Sequence, residues 1–390
     1  MKNSWITVIG IGCDGLDGLS AQSREVLASA EVLAGSARYH TLVSDTDILD
    51  GCVRLISQKG FTSLAEQFQS YKDKRIVVMT AGDPMHYGAG SALARRLGTS
   101  DITVIPKPSA FSLACGRMVW SVPDSECLTI HASHPAGINL YVYPGAKIVA
   151  LGADGETPTQ VASYLCERGF AQSHMTVFCD MGDMREQCYK ATAESWSHGR
   201  VSDLNTICVE CIAGPDARWW SRVPGLPADA FVSGGELISR EARTNVLSVL
   251  APQPGDTLWG IGDNSGAIAI EWLRSTNHTR ATVYLCDEDH RTNLEKNAEF
   301  LGVPHLRVQD DEDFENQREP HAIFLSGSLV SESKLRVYHD LLVPGGRLVT
   351  VCNEHEVENL AGLLDSLSGT CVEMRIDDHS MFVVSFKSNL

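Results

Sequence analysis

The residues whose type and spacing can do chemistry lie in four turns. The first, "VIGIGCDGLDGLS", closes an apolar run with Gly10, Gly12, Gly15 and Gly18. The second, "TAGDPMHYGAG", runs from Thr80 to Gly90 and carries Gly82, Asp83 and Pro84. The third, "PKPSAFSLACGRMVWS", holds Ser109 at the start of a helical pattern. Glycines let a backbone turn sharply and let a ligand approach it closely. Each turn follows a strand-like run, and three turns at the carboxyl ends of parallel strands make one crevice, where open α/β sheets bind ligands. The fourth, "LWGIGDNSGAIAIEW" from Leu258 to Trp272, reads as a strand, a glycine turn and a helix start. That form suits a nucleotide-like ligand. No G-x-G-x-x-G opens a helix directly after the first strand, so the dinucleotide fingerprint is missing there.

Metal chemistry has little support. Cys208 and Cys211 form a C-x-x-C inside the strand-like "NTICVECI", where residues an odd number apart point to opposite faces. "HEVEN", His355 to Asn359, starts like a zinc motif but lacks the second histidine. His131 and His134 read as polar lining, and Trp219 and Trp220 as packing for the segment that carries them. No metal is expected.

Elements that would position the turns follow from periodicity. Trp5–Gly12, "RIVVMT" and "DITVIP" read as strands, and Ser20–Ala30, "GAGSALARRL" and "SAFSLACGRM" as helices, with Ser20 an N-cap. This alternation predicts a parallel sheet covered on both faces. From about Cys127 five strand candidates surround one helix, Thr157–Arg168, which predicts a second, mixed lobe. Ile212–Pro227 holds three prolines and two glycines and reads as a linker. A fresh alternation then starts with helix Arg240–Leu250, and the chain ends in an antiparallel pair, "TCVEMRID" and "MFVVSFK". The expected α/β domains are 1–212, with lobes of about 1–120 and 121–212, a linker at 213–227, and 228–390.

A chain of 390 residues calls for two or three cores. Its net charge of −17 argues against nucleic acid as a partner, which needs a basic field. No apolar run is long enough to cross a bilayer, and the start lacks the features of a signal peptide, so no membrane and a cytoplasmic location are expected. The twelve cysteines are then reduced, mostly buried side chains.

With the loop at Gly10–Ser20, "GDP" at Gly82–Pro84 and "PSAFSLA" in order, residues from about Trp5 to Ile212 resemble the tetrapyrrole methylases, closest to those that methylate C-5 of a precorrin. The run from "GLPADAFVSGGELISREART" through "GAIAIEW" is similar to the companion class I methyltransferases that methylate C-15 and decarboxylate the ring C acetate. The resemblance implies a two-lobed tetrapyrrole-methylase fold followed by a Rossmann-like methyltransferase domain. It also implies S-adenosylmethionine (SAM) as cofactor, a precorrin-type tetrapyrrole as substrate, a role in cobalamin (vitamin B12) synthesis, and a homo-oligomer. Cofactor contacts would fall on Gly10, Gly12, Gly82, Asp83, Pro84 and Ser109 in the first half. In the second half they would fall on Gly262, Asp263, Asn264, Gly266, Asp287 and Asp311.

The second half departs from the pattern it resembles. An acid is expected at 260, where this chain has Gly260, and Asp263 is a substitute from within the loop. Asn264 replaces a glycine, and asparagine enters the left-handed region more readily than most residues. Ile238-Ser239 replaces Thr-Lys, and "FLSGS" at Phe324–Ser328 replaces "FIGGG". The alternative is therefore one active half, with the second serving as a substrate-binding or oligomerisation module. A nucleic-acid methyltransferase would need a basic face and an N-P-P-Y-like motif, and neither is present. For substrate carboxylates the candidates are Arg38, Arg240 and Arg243, ahead of His40, Lys107, Arg218 and Arg222; arginine suits them through its planar fork. Catalytic groups are not assigned; Glu236, Glu241 and Asp263 are the acids considered for the decarboxylation.

Overall fold

The computed structural model describes the chain except residues 1–3, 45–48, 58–61, 132–133, 233–236, 286–287, 311–313, 315–317, 327–329, 377–378 and 389–390. Asp287, Asp311 and Glu236 therefore lie outside the described residues. The chain divides into two compact units. Unit 1 is Met1–Ala132 with Pro144–Asp216, and unit 2 is Ser133–Tyr143 with Ala217–Leu390.

Unit 1 contains two sheets. The first is built from β1 (Ile6–Ile11), β2 (Val32–Ser36), β3 (Val53–Ser57), β4 (Ile76–Ala81) and β5 (Ile102–Ile105), in the order β3-β2-β4-β1-β5. All its pairings are parallel. In β1 the alternation of a strand sends Ile6 and Val8 to one core and Ile9 and Ile11 to the core on the other face. Burying each such side chain stabilises the fold by about 1.5–3 kcal/mol. Helices α1 (Ala21–Ala28), α2 (Ala37–Leu42), α3 (Thr62–Phe68), α4 (Ala89–Leu97) and α5 (Ala110–Met118) connect these strands or follow them. Ser20 caps α1 by accepting from the Ser23 amide at 3.1 Å.

The second sheet joins β6 (Glu126–Thr129), β7 (Lys147–Leu151), β8 (His174–Cys179), β9 (Gln187–Thr192) and β10 (Asn205–Glu210), in the order β6-β7-β10-β8-β9. Only β6 and β7 pair in parallel; the rest pair antiparallel. Helix α6 (Thr157–Glu167) lies between β7 and β8 in the chain.

In unit 2 the first α-helix is α7 (Arg240–Leu250). Its sheet is β11 (Thr257–Ile261), β12 (Arg280–Tyr284), β13 (Arg307–Gln309), β14 (Ala322–Leu325), β15 (Arg347–Cys352), β16 (Thr370–Ile376) and β17 (His379–Lys387). The order is β13-β12-β11-β14-β15-β17-β16, parallel except where β17 pairs with β15 and β16. Leu258 of β11 enters one core, and Trp259 and Ile261 enter the core on the opposite face. Helices α8 (Ala267–Ser275) and α9 (Glu288–Phe300) follow β11 and β12. α9 has Glu288 and Asp289 in its first turn, where acids favour the positive end of the helix dipole.

Two segments differ from the sequence reading. The turn of 3-10 helix at Pro135–Tyr141, expected in the second lobe, belongs to unit 2. There Asn139 donates to the Glu299 carbonyl at 3.1 Å, and a β-carbon on Gly302 would stand 2.2 Å from the Leu140 nitrogen. The end of the expected linker is pinned to unit 2. Trp220 packs edge-on against Phe300 at 5.7 Å, and Arg222 donates to the Arg274 carbonyl at 2.7 Å.

Candidate active site

A cavity of about 640 Å³ opens in unit 1, within the 300–1,000 Å³ usual for small-molecule sites. Its wall includes Gly12, Gly82, Asp83 and Ser109 from the three expected turns, Thr129, Phe178 and Asn205 from the second sheet, and Gly152 just after β7. The ends of β4, β1 and β5, neighbours in the first sheet, are drawn tightly together. Gly82 donates to the Ile11 carbonyl at 3.1 Å, and Lys107 to the Gly82 carbonyl at 3.2 Å. A β-carbon on Gly10 would stand 2.0 Å from that Gly82 oxygen, so only glycine fits. Gly82 itself has φ +50°. Gly10 and Pro84 thus shape the turns; neither is part of the cavity wall described here.

Charged groups line this cavity in a pattern the motifs alone did not show. Lys107 and Asp14 form a close ion pair. Gly18 makes room for it, because a β-carbon there would fall 1.9 Å from Asp14 Oδ2. Lys107 is thereby matched to an internal acid. Asp14, Asp83 and Asp203 give the wall three carboxylates, of which Asp14 is matched by Lys107 and Asp203 by Arg200. Asp83 accepts from the Met85 amide at 2.9 Å, which stiffens its own turn. Arg38 lies 3.0 Å from Cys13 Sγ and 4.0 Å from Asp180. Burial raises the Cys13 thiol above its ordinary pKa, with Arg38 opposing, so the sulfur stays protonated at neutral pH. Ser109 caps α5 through the Ser112 amide at 3.3 Å.

The residues present fit a donor-rich cation such as SAM. Glycines form a cradle that β-carbons would fill, and carboxylates line the wall. Asn205, which gives its amide nitrogen to the carbonyls of Asp154 and Ser202, holds a buried Oδ1 with no protein partner. Asp14, Asp203, Asn205, Tyr87 and Phe111 were missed in the sequence because lone residues outside a repeated spacing carry no signal. Tyr87 does follow the "GDP" turn closely. His40 is buried and bonded to the Leu55 carbonyl at 3.2 Å, which removes it from the carboxylate candidates.

In unit 2 the Leu258–Trp272 run forms the expected strand, turn and helix. Gly262 and Gly266 have φ +69° and +65°, whereas Asn264 is not among the residues with positive φ. Left-handed backbone is therefore needed at the two glycines that are present, and the asparagine carries no conformational cost. Asp263 is 3% exposed, and its Oδ2 accepts from the Ala269 amide in the first turn of α8 at 3.1 Å. Burial pushes its pKa up to about 6, against the lowering effect of the helix amides. It acts as an internal cap of α8.

Arg243 is a correction. It is 1% exposed, and its Nε donates to Glu271 at 2.7 Å. Its other nitrogens donate to the carbonyls of Ile238 and Leu226, while Glu271 accepts from the Gly225 and Leu226 amides. Every arm of the fork is used inside the unit, so Arg243 does not bind substrate. Arg240, one turn earlier on α7, is exposed. Arg218 lies over Trp220 and Phe300 and donates to the Asp229 carbonyl. Among the described residues no group of three His, Cys, Asp or Glu side chains could hold a metal.

Residues 6–196 match the family described as Tetrapyrrole (Corrin/Porphyrin) Methylases, and residues 229–382 match the Precorrin methyltransferase domain. The precorrin-6Y C(5,15)-methyltransferase [decarboxylating] of Sinorhizobium sp is 31% identical over 95% of this chain and 90% of its own length. The protein of that name from Mycobacterium tuberculosis is 34% identical over 96% of this chain and 93% of its own. The chain belongs to this family. As a member of the precorrin-6Y C(5,15)-methyltransferases it is an enzyme, with one matched domain in each half. A cobalt-precorrin-7 C(5)-methyltransferase from Salmonella typhimurium is 25% identical over 44% of this chain.

Proposed function

We propose that the chain transfers methyl groups from SAM to C-5 and C-15 of a precorrin and removes the carboxyl of the ring C acetate, within cobalamin synthesis. The observation that carries the reading is the glycine-walled, acid-lined cavity of unit 1, in a chain whose relatives match it through both halves. When bound, SAM supplies a methyl already activated by the sulfonium, and no metal is required.

The residues of unit 1 bind, orient and exclude water. Gly12 and Gly82 bring the backbone of the turns close to the cofactor, Gly10 lets those turns close on one another, and Asp83 favours a cation there. Arg38 is placed to meet a substrate carboxylate through its bidentate fork. Tyr39, Leu42, Phe111 and Phe178 make much of the wall apolar, which keeps water from the reacting atoms. Alignment in such a site accounts for most of the rate of a simple displacement. In unit 2, Gly262, Asn264 and Gly266 form the cofactor turn, with Asp287 and Asp311 as further contacts and Arg240 toward the substrate.

Titration calorimetry with S-adenosylhomocysteine tests this reading. Two sites per chain are expected, whereas one site supports a single active half. The same reading includes a homo-oligomer, checked by light scattering, and a cytoplasmic location without nucleic-acid partners. No helix among the described residues is long and apolar enough to cross a membrane.

A further inference from the structure

The turn after β4 holds more than a cofactor loop requires. Tyr87 has φ +58°, a left-handed backbone that a bulky side chain rarely adopts. Such strain persists only where the surroundings impose it, and it concentrates at functional sites. The surroundings here do impose it. Asp83 takes the Met85 amide, and Gly90 donates to the Pro84 carbonyl at 2.9 Å. A β-carbon on Gly88 would stand 2.6 Å from that same carbonyl oxygen. The strained turn therefore projects a side chain in a fixed place.

That side chain is 60% exposed although it lines the cavity. Its ring stacks on His86, with centroids 5.3 Å apart and planes 24° apart. His86 in turn lies 4.6 Å from the buried ring of Phe111, at 30°. Tyr87 and Phe111 also touch, with centroids 5.9 Å apart at 54°, so the three rings form one compact cluster with Phe111 buried and Tyr87 exposed. A ligand enclosed by the cavity has no use for an exposed ring, but a flat conjugated ligand too large to be enclosed does. Aromatic faces prefer offset stacking on such surfaces.

We infer that Tyr87, held by the strained Gly82–Gly90 turn and backed by His86 and Phe111, is a stacking shelf for the planar face of the methyl acceptor rather than for the cofactor. The inference rests on the proposed tetrapyrrole substrate. It assigns Tyr87 to substrate positioning in unit 1.

The test compares Tyr87→Gly and Tyr87→Phe in the full chain. Glycine removes both ring and strain; phenylalanine keeps the ring. Three quantities are read: the thermal midpoint, the Kd for S-adenosylhomocysteine, and the KM for precorrin-6Y in methyl transfer. Tyr87→Gly is expected to keep or raise the midpoint, leave the Kd within twofold and raise the KM at least tenfold. Tyr87→Phe is expected to keep the KM within about twofold. A tenfold weaker Kd with unchanged KM assigns the ring to the cofactor and overturns the proposal, as does no change in either. A wild-type chain that binds S-adenosylhomocysteine but never methylates the precorrin defeats the substrate reading, and the shelf with it.

Discussion

Asp263 packs beside the place where a side chain at Gly260 would begin. A β-carbon built on Gly260 would stand 3.4 Å from Asp263 Cβ and 3.8 Å from its Oδ2. The buried acid of the turn therefore lies next to the position in β11 where an acid was expected.

This contact predicts coupling between the two positions. Gly260→Asp places a second buried acid against the first and is expected to destabilise unit 2 by about 3 kcal/mol. Adding Asp263→Ala should recover at least half of that loss. Urea unfolding of the two single variants and the double variant measures the coupling. Additive effects would show that the side chains do not share the space.

Asp263 also sets a pH dependence. Unfolded, it titrates near the usual 3.8, and in the fold its pKa is about 6. Between those values the folded chain keeps a proton that the unfolded chain has lost. Its contribution to stability is thus fully present below about pH 4 and is lost as pH rises through about 6, a change of roughly 3 kcal/mol. Relative to Asp263→Asn, the wild type should lose stability between pH 4.5 and 7. A gain over that range would contradict the buried, raised acid.

Arg243 and Glu271 are a buried pair whose remaining polar atoms are used on backbone groups. Removing one partner strands the other charge, so Arg243→Met is expected to cost about 3–5 kcal/mol. Chemical denaturation measures it. A variant of normal stability with a raised KM for the precorrin would return Arg243 to the substrate site.

Gly10 and Gly18 make different demands. At Gly10 the added carbon meets the backbone of Gly82 and the Lys107 amide, which cannot move without parting the strands. At Gly18 it meets the ends of the Asp14 and Lys107 side chains, which can swing away. Gly10→Ala should therefore unfold unit 1 or lower its midpoint steeply. Gly18→Ala should keep the fold and weaken S-adenosylhomocysteine at least tenfold at the unit 1 site. Circular dichroism with calorimetry separates these outcomes; equal loss of fold in both would contradict the assignment.

The parallel sheet of unit 1 was legible because β1, β4 and β5 are short apolar runs that each end at a turn. The mixed second sheet and the closing β16–β17 pair were legible for the same reason, as strand-length runs between breakers. Pro135–Tyr141 was not, since a prolyl 3-10 turn has no period and its partners, Glu299 and Gly302, lie far along the chain. Site residues divide similarly. Gly10 and Gly82 announce themselves by spacing. The fate of a charge depends on what surrounds it, so Arg243 and Arg38 look alike in sequence, although one is sealed in a core and the other lines a cavity.

The mass of the product formed from precorrin-6Y and SAM tests the central claim most directly. Two transfers and one decarboxylation predict two added methyl groups and one lost carbon dioxide per macrocycle. A product of unchanged mass would contradict the account, and a single added methyl with the carboxyl retained would confine it to unit 1.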